Sequence, residues 1–198
     1  MRRLRRRDLP SDTLQLARAL IGVVLVRRLA GAALLTGRIV ETEAYEPGDP
    51  SSHAFRGMTQ RNRAMFGRRL HAYVYLIYGT AYCLNVSSEA EGVGAAVLIR
   101  AAQPLSGIGV MRERRGAGVR ERDLARGPGR LCAALDIDRA LDGADLERDQ
   151  RLWLARDGAP LPDVGESVRI GLAKAAERQH RFYARGSSFL SGPRALSP

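Results

Sequence analysis

Gly37-Arg38-Ile39-Val40-Glu41-Thr42-Glu43-Ala44-Tyr45 reads as a β-strand: it is rich in β-branched residues and is closed by the turn Glu46-Pro47-Gly48. Strand side chains alternate, so Ile39, Glu41, Glu43 and Tyr45 are expected on one face and Val40, Thr42 and Ala44 on the other. Two carboxylates about 7 Å apart, two strand rises, beside an aromatic ring suit a site better than a solvated edge, although paired surface glutamates are common. The next segment adds to this. Residues 46–70 hold His53, Arg56, Arg61, Asn62 and Arg63 with little periodicity, and loops this long inside compact domains are functional or disordered.

Outward from this strand, residues 23–28 form a second strand, joined to it through Ala30-Gly31 as a hairpin. Before that lies a helix opened by Pro10-Ser11-Asp12 with Ser11 as N-cap, and Gly22 stops it. Residues 71–78 and 81–86 form another hairpin, turning at Gly79-Thr80 with Tyr78 near the tip. Residues 95–102 are an apolar strand whose one charge, Arg100, either faces solvent or pairs in a site; Glu43 as an available partner favours the site. A helix is expected from Pro104 toward Arg115, and another from Gly127-Pro128-Gly129 through Leu135. Residues 152–155 and 168–172 are strand candidates, 173–177 look helical, and 181–185 form a last strand. Hairpins with few alternating strand–helix units imply an α+β fold, a curved antiparallel sheet with flanking helices.

The chain has 198 residues and 45% apolar content, enough for one domain, taken as 11–198 behind a basic arm, 1–10. A net charge of +11 favours an anionic partner, nucleic acid ahead of a membrane surface. No apolar run approaches the roughly 18 residues of a spanning helix. Cys83 and Cys132 form no C-x-x-C pair and read as reduced, buried residues of a cytosolic protein. The arm is expected to be frayed, either solvated or touching phosphates.

Arg38 to Tyr45, then His53 with Arg56-Gly57, Arg61-Asn62-Arg63-Ala64-Met65-Phe66, Ala72 to Gly79, Cys83-Leu84-Asn85-Val86, Val97-Leu98-Ile99-Arg100-Ala101, Gly127 to Cys132 and Arg181-Phe182-Tyr183 together resemble the alkyladenine (3-methyladenine) DNA glycosylase family. The order and spacing hold from Leu14 to Gly192, and several blocks in register are far more specific than one motif. The resemblance implies a single compact domain without a helix-hairpin-helix module, acting as a monomer on double-stranded DNA with alkylated bases.

It also implies roles. Glu43 is the general base that activates water for attack at C1′, with Arg100 and the Ile170 backbone carbonyl as further contacts to that water. Glu41 is structural; a paired-carboxylate glycoside hydrolase scheme for Glu41 and Glu43 is the competing reading. Tyr45, His53 and Tyr75 line the pocket for a flipped base, their π-faces favouring positively charged purines. Asn85 discriminates against guanine through its 2-amino group. Tyr78 fills the vacated stack, with Met65 nearby on the complementary-strand side, and Arg61 and Arg63 position the DNA backbone. Tyr73 and Tyr82 are ordinary sheet residues whose hydroxyls reach water. Residues 67–70 depart from the pattern, which leaves that loop's shape open.

No zinc-deaminase signature, metal-ligand spacing or phosphate-binding G-x-x-x-x-G-K-[ST] loop is present, so no metal or cofactor is required. The single lysine, Lys174, lies in none of the pocket blocks, which leaves water as the nucleophile. A non-catalytic arginine-rich nucleic-acid-binding protein is the rival from charge alone. It has no need of Glu43.

Overall fold

Leu34–Tyr45 forms one 12-residue strand, β3, inside a nine-stranded sheet in the computed structural model, which describes residues 1–31 and 33–197. In chain order the other strands are β1 (Arg2–Arg3), β2 (Val24–Arg28), β4 (Ala72–Ile77), β5 (Ala81–Ser87), β6 (Ala96–Ser106), β7 (Leu152–Arg156), β8 (Val164–Ser167) and β9 (Arg181–Ala184). The main path runs β1-β7-β2-β3-β6-β5-β4, with every ladder antiparallel. The helices are α1 (Thr13–Ala19), α2 (Ile108–Arg115) and α3 (Pro128–Ala134). The fold is α+β, with a large antiparallel sheet that does not close.

On one edge, β3 is shared by two partners. Arg38 and the residues before it pair with β2, whereas Glu41, Thr42 and Glu43 pair with β9, which carries β8. Between them the ladder with β6 slips: Ile39 faces Ala102 and Glu41 faces Ala101, leaving Val40 over, and Thr42 then faces Ile99, leaving Arg100 over. Bulges bend a strand and re-aim its side chains. Ile39 therefore joins Val40 and Ala44 in the main apolar core rather than the face of Glu41 and Glu43, a correction to strict alternation. That core packs all three helices against the sheet through residues such as Leu16, Met111 and Leu131. A smaller cluster of Ala64, Met65, Tyr73 and Ala96 lies beneath the loop after β3.

Several expected elements shift. Asp12, not Ser11, caps α1, accepting from the Gln15 N–H at 2.8 Å. Pro104 stays in β6 opposite Gly37, because β5 pairs β6 only at Ala96, Val97 and Leu98 and no further strand calls for its missing N–H. Residues 168–172 are not a strand: the chain leaves the sheet after Ser167, and 173–177 are turn rather than helix. The amino-terminal arm is docked, not frayed. β1 pairs with β7, Leu4 is buried, and the Arg69 guanidinium donates to the carbonyls of Leu9 (3.0 Å) and Pro10 (2.9 Å). That anchorage also settles the 67–70 loop, where Leu70 takes φ 62 and is buried in the core.

Candidate active site

The split in the sheet brings Glu41, Glu43 and Arg100 together, all buried. Arg100 Nη1 lies 3.2 Å from Glu43 Oε2, and its Nε donates to Glu41 Oε1 at 3.1 Å. Glu43 Oε2 also accepts from the Tyr45 hydroxyl at 3.0 Å, and Oε1 from the Ile170 N–H at 2.7 Å. Burial works against the Arg100 charge, but Glu43 and Glu41 outweigh it and raise the guanidinium pKa. Burial, with Glu43 beside it, pushes the Tyr45 phenol well above its usual range, so Tyr45 stays a donor. The result is an oriented carboxylate with no exposed surface of its own. Its Ile170 partner is an N–H, a contact additional to the expected carbonyl.

Tyr45, Arg100 and Ile170, the three partners of Glu43, line a cleft of about 1100 Å³ together with His53, Tyr75 and Asn85, with Met65 and Tyr78 also at its walls, and Glu43 itself lies just behind that lining. His53 and Tyr75 meet edge to face at 4.5 Å between centroids. Tyr73 departs from expectation: it is 1% exposed, and its hydroxyl lies 2.9 Å from His53 Nδ1 rather than in water. Burial pushes its pKa up to about 12. His53 lines the cleft and keeps exposed surface, yet desolvation and the Arg61 charge hold its pKa below the ordinary histidine value. The imidazole is therefore neutral at pH 7, which suits a cationic guest. Asn85 is buried and donates from Nδ2 to the Tyr73 carbonyl at 3.1 Å.

Tyr78 stands at the β4–β5 tip with φ 52 and is 91% exposed. An aromatic ring so placed has no packing role to explain it. Met65 is buried against Tyr73 and Tyr75. Arg61 stands over the Tyr75 ring at 5.8 Å and donates to the Leu76 carbonyl, whereas exposed Arg63 borders a separate depression with Arg68 and His71. The Ser51 hydroxyl, on the cleft wall, donates to the Lys174 carbonyl, so the segment of the single lysine borders the cleft, although Lys174 is not among the residues that line it.

Three features escaped the sequence reading. Arg169 and Asp49 form a fully buried ion pair, and the Arg169 guanidinium sits 4.8 Å behind the Tyr45 ring. A charge within Val168-Arg169-Ile170 is the same signal that singled out Arg100. Arg181, fully buried, binds Glu41 at 2.7 Å. Arg114, Arg115, Arg126 and Arg130 line the far end of the cleft. Among the described residues no group of three or more His, Cys, Asp or Glu could hold a metal ion, and no helix is long and apolar enough to cross a membrane.

The methylpurine-DNA glycosylase family profile matches residues 7–188, nearly the whole of this arrangement. The chain belongs to that family. It is 59% identical over 191 residues to a Mesorhizobium japonicum protein named provisionally as a 3-methyladenine DNA glycosylase, covering 96% of this chain and 91% of the relative. It is 46% identical over 202 residues to the DNA-3-methyladenine glycosylase of Mus musculus, covering 93% of this chain and 59% of the mouse protein. The protein is thus a glycosylase of DNA repair, with DNA as its substrate, rather than a non-catalytic binder.

Proposed function

We propose that this glycosylase is monofunctional: it swings an alkylated purine out of duplex DNA into the aromatic cleft and hydrolyses its N-glycosidic bond with water activated by Glu43. The observation that carries this reading is the Glu43 carboxylate, wholly buried and oriented by Arg100, Tyr45 and the Ile170 N–H, three residues that line an aromatic-walled cleft. Water gives its proton to Glu43 as its oxygen bonds to C1′. The C1′–N bond breaks, and its electron pair leaves with the base. An alkylated purine carries positive charge, so it departs as a neutral molecule without strong acid help. The same carboxylate offsets charge building on the sugar.

Tyr45, Tyr75 and the neutral His53 offer π-faces to the cationic base, and Asn85 excludes guanine. Tyr78 fills the gap left in the stack, with Met65 toward the complementary strand. Arg61 and Arg63, with the arginines of the far cleft wall, meet phosphates. The chain acts as a monomer, and Glu41 takes no part in the chemistry.

Base release from methylated duplex DNA tests this, with the product identified by chromatography. Free 3-methyladenine and an intact abasic strand are expected; absence of any released base would overturn the reading.

A further inference from the structure

Each guanidinium nitrogen of Arg100 has its own partner. Nε meets Glu41 at 3.1 Å, Nη1 meets Glu43 at 3.2 Å, and Nη2 donates to the Ser191 hydroxyl at 3.3 Å. Arg100 is also the residue left over in the β6 ladder, so strand pairing alone does not set its direction. Glu41 is held in turn by other partners. Its Oε1 accepts from Arg181 Nε (2.7 Å) and the Ser191 hydroxyl (3.0 Å), and its Oε2 from the Ser191 N–H (2.6 Å). Arg181 continues to the Leu196 carbonyl at 2.8 Å and the Ser197 hydroxyl at 2.9 Å. A chain of polar contacts, buried from Ser191 and Arg181 through Glu41 and Arg100 to Glu43, therefore ties residues 191–197 to the Glu43 carboxylate. Two carboxylates and two guanidiniums balance within it.

We infer that Glu41, Arg181 and Ser191 are positioning residues for the reaction: they aim the Arg100 fork at Glu43 and divide its charge between two carboxylates, so that the 191–197 segment completes the active site. This rests on Glu43 being the base. Glu41 alone would pull Arg100 away from Glu43; Arg181 supplies the second positive charge that lets one guanidinium serve both acids. Ser191 locks the rotation that Nε and Nη1 leave free, and small misplacements of such groups cost large factors in rate.

The test is a double-mutant cycle on single-turnover base release, with affinity for an abasic-site duplex measured in parallel. Ser191→Ala, which keeps the backbone N–H to Glu41, is expected to slow release roughly tenfold with unchanged affinity and a modest fall in melting temperature from the lost buried hydrogen bonds, and Ser191→Thr to restore the rate. In an Arg100→Gln background, Ser191→Ala should cause no further loss. The same fold loss in both backgrounds, no loss at all, or failure of the threonine variant to rescue would overturn the positioning role. Glu43→Gln separates the two claims: substantial activity there overturns the base assignment itself, whereas a dead Glu43→Gln with an unaffected Ser191→Ala overturns only the positioning role.

Discussion

Arg181 Nε donates to Glu41 Oε1 at 2.7 Å across 140 residues of sequence, with both side chains fully buried. Breaking such a pair on one side leaves a charge without a partner in a dry interior. Arg181→Met should therefore destabilise the fold by about 3–5 kcal/mol, read by chemical denaturation at pH 7. Adding Glu41→Gln should recover part of the loss, since the stranded carboxylate is then gone. A single variant as stable as the wild type would show that Glu41 is satisfied by Arg100 and Ser191 alone.

Glu43→Gln should lower single-turnover base release by roughly 10²–10⁴-fold, the range for a lost general base, while binding of damaged duplex is kept or strengthened. The amide keeps a single acceptor oxygen, enough for the Ile170 N–H or the Tyr45 hydroxyl but not for both, since these reach different carboxylate oxygens, and it removes a negative charge that would oppose the phosphates of bound DNA. Retention of a tenth of the wild-type rate would rule out Glu43 as the essential base.

Tyr78 is almost wholly exposed, so Tyr78→Ser should leave the melting temperature unchanged. Affinity for damaged duplex should fall by about 1–3 kcal/mol if the ring stacks on bases. A drop in melting temperature with unaltered affinity would instead make it a packing residue.

His53 titrates below its unfolded value of 6.5 because burial and Arg61 disfavour the imidazolium. The unfolded chain then binds the proton more tightly, so acid favours unfolding. The contribution of His53 to stability is present above pH 6.5, is lost as the pH falls through the window below it, and levels off beneath the folded value. Melting temperatures between pH 7.5 and pH 5 should decline less steeply in His53→Gln than in the wild type; His180, also lowered by burial, keeps its own share in both. Equal slopes would show that His53 is not desolvated.

If water and not an amine is the nucleophile, as proposed, strands should break only after alkali or a separate endonuclease. Lys174 is the one lysine, and its segment borders the cleft, so borohydride trapping is a direct check. A covalent adduct lost in Lys174→Ala would overturn hydrolysis.

Local patterns carried the strands, the β4–β5 hairpin and the α+β class, because alternation and turn chemistry are properties of neighbouring residues. The resemblance then picked out Tyr45, His53, Tyr75 and Asn85 as pocket residues, and all four line the cleft. It failed where the determinant was a distant partner. Residues 168–172 look like a strand until Arg169 turns inward to Asp49, 120 positions away, and Ile170 gives its N–H to Glu43 instead of to a ladder.

The amino-terminal arm shows the same limit. Seven residues containing five arginines read as solvated, yet Leu4 enters the core and Arg6 finds Asp145 at 2.7 Å. What the sequence determined alone was which segments could pair and which residue types could do the chemistry. The aim of Arg100, the pairing of Glu41 with Arg181 and the capture of residues 191–197 were decided only by tertiary structure, because they depend on a ladder slip and on charges that become neighbours only once water is excluded.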